Sequence, residues 1–236
     1  MEYSTLNLKQ ASEHVHLDMN ELKHFAQRGE IEAFERGGEW HFAHRALDEW
    51  AQRNLLAARM KDLKAQHAVM MAEHQRENKL SWNVASFLSP DAMTLNLSAK
   101  AKGGIIRDMA NLADKSGFVY DPDALYKELV AREEVASTAI GSSIALLHPR
   151  FHDPFMFQES FISYGRSDRM IFFGSPNGEG TRHFFLICSS NHEEHLHILA
   201  RLAMLAHGTD LTGRLEEAST VDEAISAVFE CEKEFE

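Results

Sequence analysis

Apolar residues recur at Leu8, Ala11 and Val15, the three- and four-residue spacing of one helical face, and again at Leu22, Phe25 and Ala26. The spacing predicts two short helices, the second capped by Asp18 and ended by Gly29. Residues 31–42 then alternate apolar and polar around Gly37 and Gly38, which predicts a hairpin with a two-glycine turn. Leu47 and Trp50, on the helix that follows, are placed to close the core of this small unit.

Residues 45–78 contain no Gly or Pro and are rich in good helix formers, so one long helix is expected. Leu56, Met60, Leu63, His67 and Met70 form a narrow stripe along it. Such a stripe serves either a two-stranded coiled coil, and hence a homodimer, or packing within the same chain. After Trp82 the pattern predicts helices over 100–117, 122–133, 192–206 and 221–230, and strands over 141–147, 169–174 and 183–188. This alternation indicates an α/β domain, a mixed sheet flanked by helices. The expected organisation is a small domain over 1–50, a helical linker over 51–80 and the α/β domain over 81–236.

Composition narrows the function. At 236 residues and 44% hydrophobic, the chain can bury real cores, so a disordered protein is not expected. No apolar run is long enough to span a bilayer and the first residues lack a signal-peptide layout, which points to the cytoplasm and to no membrane insertion. A net charge of −12 disfavours a protein whose whole surface binds nucleic acid and favours a partner with a basic face. Cys188 and Cys231 lie in unrelated contexts and read as buried, reduced thiols.

The chemistry concentrates in residues 129–150. A helix ends near Arg132-Glu133, a turn of small residues follows, and an apolar strand delivers His148, which Pro149 biases toward an extended backbone. Arg132 and Arg150 can bring positive charge, while Ser137, Thr138 and the amides of the glycine turn can donate hydrogen bonds to phosphate oxygens. A neutral imidazole in such surroundings suits phosphoryl transfer. By pattern alone, a histidine that merely caps a strand end is the competing reading.

Arg132-Glu133, Ser137-Thr138-Ala139-Ile140-Gly141, Ile144-Ala145 and His148-Pro149-Arg150 together resemble the active-site segment of phosphotransferase-system (PTS) enzyme IIA domains of the fructose, mannitol and nitrogen-regulatory type. The runs His183 to Cys188 and Glu194 to Ala203 are similar to that family's later strand and helix. The resemblance implies that His148 is the phosphoryl acceptor, that Arg132 supports the phosphoryl group, and that His195 lies beside it. It implies no metal and no cofactor, the phosphoryl group coming from phosphoenolpyruvate through an HPr-like phosphocarrier protein. Leu147 stands where the family usually has Pro, and Ala139 where Gly is usual. Loss of that Pro is expected to loosen the loop that aims the imidazole.

Leu6-Asn7-Leu8-Lys9-Gln10-Ala11, the run Arg28 to Phe34 and the run Gly37 to Phe42 resemble the excisionase and MerR-type winged helix-turn-helix. The resemblance implies that the second helix reads promoter DNA through Asn20, Lys23 and His24, with Arg36 and His41 on the wing. Residues 1–80 carry about 11 basic and 13 acidic side chains, a poor footprint for DNA, so a fold retained for protein contacts stays open. The two likenesses together imply a phosphorylation-responsive regulator; the alternatives are a phosphocarrier serving an enzyme IIB in sugar uptake and a non-catalytic binding module. His192, His195 and His197 have ligand-like spacings but lack the companions of a zinc site. A triad of Ser137, His148 and Asp153 lacks the nucleophile elbow of a hydrolase.

Overall fold

The chain divides into two units, residues 1–79 and 80–236; the computed structural model describes residues 5–57, 60–76, 82–151 and 155–234. Asn7 ends a short strand β1 (Thr5–Asn7) and opens helix α1 (Leu8–Val15). Its side chain accepts from the Gln10 N–H while its own N–H donates to the Gln10 side chain, so two amides that a helix start leaves over are satisfied reciprocally. Asp18 caps α2 (Met19–Gln27) through the Asn20 N–H. Gly29, at φ +73°, lets the Glu30 N–H return to the Phe25 carbonyl and close that helix.

Strands β2 (Ala33–Arg36) and β3 (Glu39–Ala43) pair antiparallel across Gly37 and Gly38, both at positive φ as a tight hairpin turn requires. β1 adds to the other side of β3, giving the order β1-β3-β2; three residues are too few to show alternation, so it was not legible. Helix α3 (His44–Ala57) buries Leu47 and Trp50, whose ring lies 4.9 Å from that of Phe25. The helix expected over 45–78 is present as α3 and α4 (Met60–Arg76). Residues 58–59 and 77–78 of that expectation, and the side chains of Leu56, Met60 and Met70, lie outside the described residues. Leu63 and His67 of the stripe are buried within the chain.

In the second unit the described residues form one five-stranded mixed sheet, order β4-β7-β8-β6-β5: β4 (Leu88–Leu97), β5 (Ala139–Gly141), β6 (Ile144–Leu147), β7 (Phe161–Ile171) and β8 (Thr181–Cys188). Helices α5 (Lys102–Asp114), α6 (Pro122–Val135), α7 (His192–Gly208), α8 (Leu211–Glu217) and α9 (Val221–Lys233) flank it. β8 is central, and Phe184, Phe185, Leu186 and Ile187 are all fully buried. Each contributes roughly 1.5–3 kcal/mol by leaving water. Gly165 in β7 admits a close approach: a Cβ there would stand 2.6 Å from Leu97 Cδ1 and 2.8 Å from Met109 Sδ.

Two sequence expectations are corrected, and two elements were not foreseen. The strand placed at 169–174 occupies Phe161–Ile171, because Gly165 and the charges at Arg166 and Asp168 mask its first half. The single strand over 141–147 is a hairpin, broken where Ser142 and Ser143 take φ of +50° and +61°. β4, not foreseen, tolerates Pro90 and its polar neighbours because it is an edge strand with an irregular register there. α8 was also not foreseen, Gly213 interrupting its seven residues.

Candidate phosphoryl-acceptor site

β6 pairs in parallel with β8, Leu147 opposite Leu186, and the chain passes directly from Leu147 to His148. Leu147 is buried in the core. Ladder and core hold the backbone up to the residue before the imidazole.

His148 is fully buried. Its Nδ1 lies 2.8 Å from the Leu146 carbonyl, which can only accept, so Nδ1 carries the ring hydrogen. Nε2 then presents a lone pair, and it accepts from Nε–H of Arg132 at 2.9 Å. Arg132 comes from the last turn of α6, is 1% exposed, and donates a second bond to the Ala136 carbonyl at 2.8 Å. Burial, then the Arg132 charge, press the His148 pKa down to about 3 against the opposing bond to Leu146. The ring is neutral throughout the physiological range.

His195, near the start of α7, sets its ring edge-on to His148 at 5.2 Å between centroids. The site thus brings together His148, Arg132 and His195. Thr138 lies beside this group, its carbonyl accepting from the Leu146 N–H, but its hydroxyl and its own N–H both donate to the Glu133 carboxylate, at 2.7 and 3.0 Å. Ser137 donates to the Phe173 carbonyl at 2.9 Å. The Arg150 guanidinium lies over the Phe151 ring and is not among the hydrogen-bond partners of His148. The amides of the Gly141 turn stand at the opposite end of β6, about four strand residues or roughly 13 Å away. Their expected role as phosphate donors is corrected on that ground.

Glu133 carried no role in the sequence reading. Its buried carboxylate joins the Ser137-Thr138 turn to Lys102 Nζ at 2.6 Å, tying the start of α5 to the end of α6. The signal was the charged pair Arg132-Glu133 in a helix's last turn, where two successive residues face different neighbours.

His192, His195 and His197 do not converge: His197 donates to the Trp82 carbonyl and stacks on its ring, whereas His195 faces His148. Asp153 lies outside the described residues. Both cysteines are buried and unpaired, and burial raises the thiol pKa of each. In the first unit Asn20, Lys23, His24 and Arg36 are exposed, and His41 stacks on Phe34. Among the described residues no helix is long and apolar enough to cross a membrane.

Residues 86–231 match the family model described as phosphoenolpyruvate-dependent sugar phosphotransferase system, EIIA 2. The chain is 27% identical over 152 residues to the PTS fructose-specific EIIABC component of Bacillus subtilis, covering 64% of this chain but only 24% of that protein. It is 27% identical over 137 residues to a nitrogen regulatory protein of Pseudomonas aeruginosa, covering 57% of this chain and 87% of that one. Among solved structures, the nitrogen regulatory protein IIA-Ntr of Neisseria meningitidis superposes with a TM-score of 0.55 at 20% identity, over 61% of this chain and 98% of that one. The mannitol IIA of Escherichia coli does so with 0.52 at 22%, over 60% and 98%. At such identities the superpositions show the fold alone, the mixed sheet flanked by helices. The family model, however, spans well over half of the sequence, and through this segment the chain belongs to the EIIA 2 family of the phosphoenolpyruvate-dependent sugar phosphotransferase system.

Proposed function

We propose that this chain is a phosphorylation-responsive regulator whose second unit accepts a phosphoryl group on Nε2 of His148 and whose first unit binds promoter DNA. The observation that carries the first half is the hydrogen-bonding of the imidazole. Nδ1–H is tied to the Leu146 carbonyl, so the Nε2 lone pair is the nucleophile, and Arg132 already stands at that atom. Transfer from a phosphohistidine carrier, HPr or its nitrogen-branch counterpart, breaks a P–N bond in the carrier and forms one at Nε2. The carrier imidazole leaves with its lone pair and no proton moves from Nδ1. Arg132 turns its Nε–H from the lone pair to an incoming phosphoryl oxygen, and His195 borders the same space.

Because the ring keeps its Nδ1 proton, the transfer lowers the net charge of the site by about one and places a dianionic phosphoryl group there, enough to alter contacts elsewhere in the chain. The DNA half rests on the exposed face of α2 bearing Asn20, Lys23 and His24, with Arg36 on the neighbouring hairpin. An open groove of about 350 Å³ lined by Lys9, Lys23 and Trp40 lies on the same unit.

The full burial of His148 favours a second reading, a module that binds a partner without accepting phosphate. Onward transfer to an enzyme IIB is a third outcome; one solved relative is the mannitol IIA of Escherichia coli in complex with phosphorylated IIB. The deciding experiment incubates the chain with phosphoenolpyruvate, enzyme I and HPr, or the nitrogen-branch pair. An acid-labile mass gain of one phosphoryl group that vanishes in His148→Ala supports transfer; no gain with either donor sinks it and leaves the binding module. A gel shift with the upstream DNA tests the other half: salt-sensitive, specific binding is expected, and none at low salt overturns it.

A further inference from the structure

We propose that His14, His44 and Asp48 form a binding site for one divalent transition-metal ion of the zinc class, wholly within the first unit and independent of the phosphoryl site. The three residues come from different parts of the sequence. His14 is in the last turn of α1, and His44 and Asp48 share one face of α3 at i and i+4. One ligand atom from each lies within 4.8 Å of the others. Among the described residues they are the one cluster of histidine, cysteine and acidic side chains close enough to hold an ion.

The two imidazoles converge on one carboxylate. His14 Nε2 is 2.6 Å from Asp48 Oδ1, and His44 Nδ1 is 3.5 Å from Asp48 Oδ2, so the two imidazoles address different oxygens of one carboxylate. Their rings stand 4.6 Å apart, tilted by 46°. With metal–nitrogen and metal–oxygen bonds of about 2.0–2.2 Å, ligand atoms of a tetrahedral site lie about 3.4 Å apart. The His44 arm is already at that spacing. The His14 arm opens by less than 1 Å as the ion takes the place of the hydrogen between His14 and Asp48; a neutral ring carries that hydrogen on Nδ1 instead, and a charged ring releases it to solvent.

Asp48 is 6% exposed, His14 17% and His44 37%, so the anionic ligand is at the bottom and the third ligand at a wet rim. An ion can enter over His44, and water completes its coordination. Two imidazoles and a carboxylate with no thiolate select zinc, nickel or cobalt over monovalent copper, and nitrogen donors disfavour calcium and magnesium. The sequence showed only His44 and Asp48 at helical spacing; His14, thirty residues earlier, joins them through the packing of α1 against α3.

The full chain, stripped with a chelator, is titrated with Co²⁺ while its visible absorption is followed, and with Zn²⁺ by equilibrium dialysis. Expected is one tight equivalent with a four- or five-coordinate cobalt spectrum. Losing an outer-shell partner of a metal site weakens binding roughly 10–100-fold, and loss of a ligand should do at least as much, in His14→Gln and in His44→Gln. His44 is at the rim, so its variant keeps the fold and decides the matter if His14→Gln does not; circular dichroism checks this. No tight equivalent in wild type, or an equivalent equally tight in His44→Gln, overturns the proposal.

Discussion

Nε–H of Arg132 donates to Nε2 of His148 across 2.9 Å, joining the last turn of α6 to the end of β6 through the atom proposed to carry the phosphoryl group. The same guanidinium holds the Ala136 carbonyl, which keeps it aimed. A lysine can supply charge but not both bonds from a planar fork. Arg132→Lys is therefore expected to lower the rate of phosphoryl loading roughly 100-fold, the cost of one preorganised donor at developing charge. Rapid-quench measurement of phosphoprotein formation checks it; an unchanged rate would show that Arg132 only holds the fold.

The neutral state of His148 has a consequence for pH. The folded pKa is about 3, against an ordinary value of 6.5. Below pH 6.5 the unfolded chain takes up a proton that the folded ring refuses, so stability falls as pH drops from 6.5 toward 3. The loss from this residue is about 1.4 kcal/mol per pH unit. His183, also lowered by burial, acts in the same direction. Urea midpoints between pH 7.5 and 5 should fall more steeply in wild type than in His148→Gln. The ¹⁵N resonances of the His148 ring should meanwhile keep the neutral, Nδ1-protonated pattern down to pH 5; a titration near pH 6.5 would contradict the buried geometry.

Glu133 is the hinge of the site's support. Its carboxylate accepts from the Thr138 hydroxyl and N–H and pairs with Lys102, whose side chain is 37% exposed. Solvent screens the Lys102 pair, so most of the cost of removal comes from Thr138 groups left without a partner. Glu133→Ala is expected to lose about 3 kcal/mol by chemical denaturation. Thr138→Val, which removes only the hydroxyl bond, should cost less. Equal losses would mean that the carboxylate's other contacts do not matter.

What could be read in advance followed from local rules. The helix start at Asp18 and the Gly37-Gly38 turn are written in adjacent residues, as is the delivery of His148 by an apolar strand. The tautomer of His148 was not legible, since it depends on the Leu146 carbonyl and on Arg132 sixteen positions away. Nor was the occupation of Thr138 by Glu133, which turns an apparent phosphate donor into part of the scaffold. β4 and the first half of β7 were hidden because Pro90 and Gly165 are turn residues in isolation and strand residues only at an edge or against a neighbouring helix.

Gly165 separates stability from chemistry. It lies in β7 and belongs neither to β6 nor to α6, the elements that carry His148 and Arg132. A methyl group there meets Leu97 at 2.6 Å and Met109 at 2.8 Å. Both side chains are buried, at 4% and 0% exposure, so neither can turn out to solvent and the contact must be relieved inside the core. Overpacking of this kind costs about 1–3 kcal/mol. Gly165→Ala is thus expected to lower the urea midpoint while leaving the loading rate per folded molecule within about twofold of wild type, because the strain is spread across α5 and β4. Stopped-flow loading at a temperature where the variant remains folded checks this. A large loss of rate with the fold intact would show that the packing of α5 against the sheet also positions the imidazole.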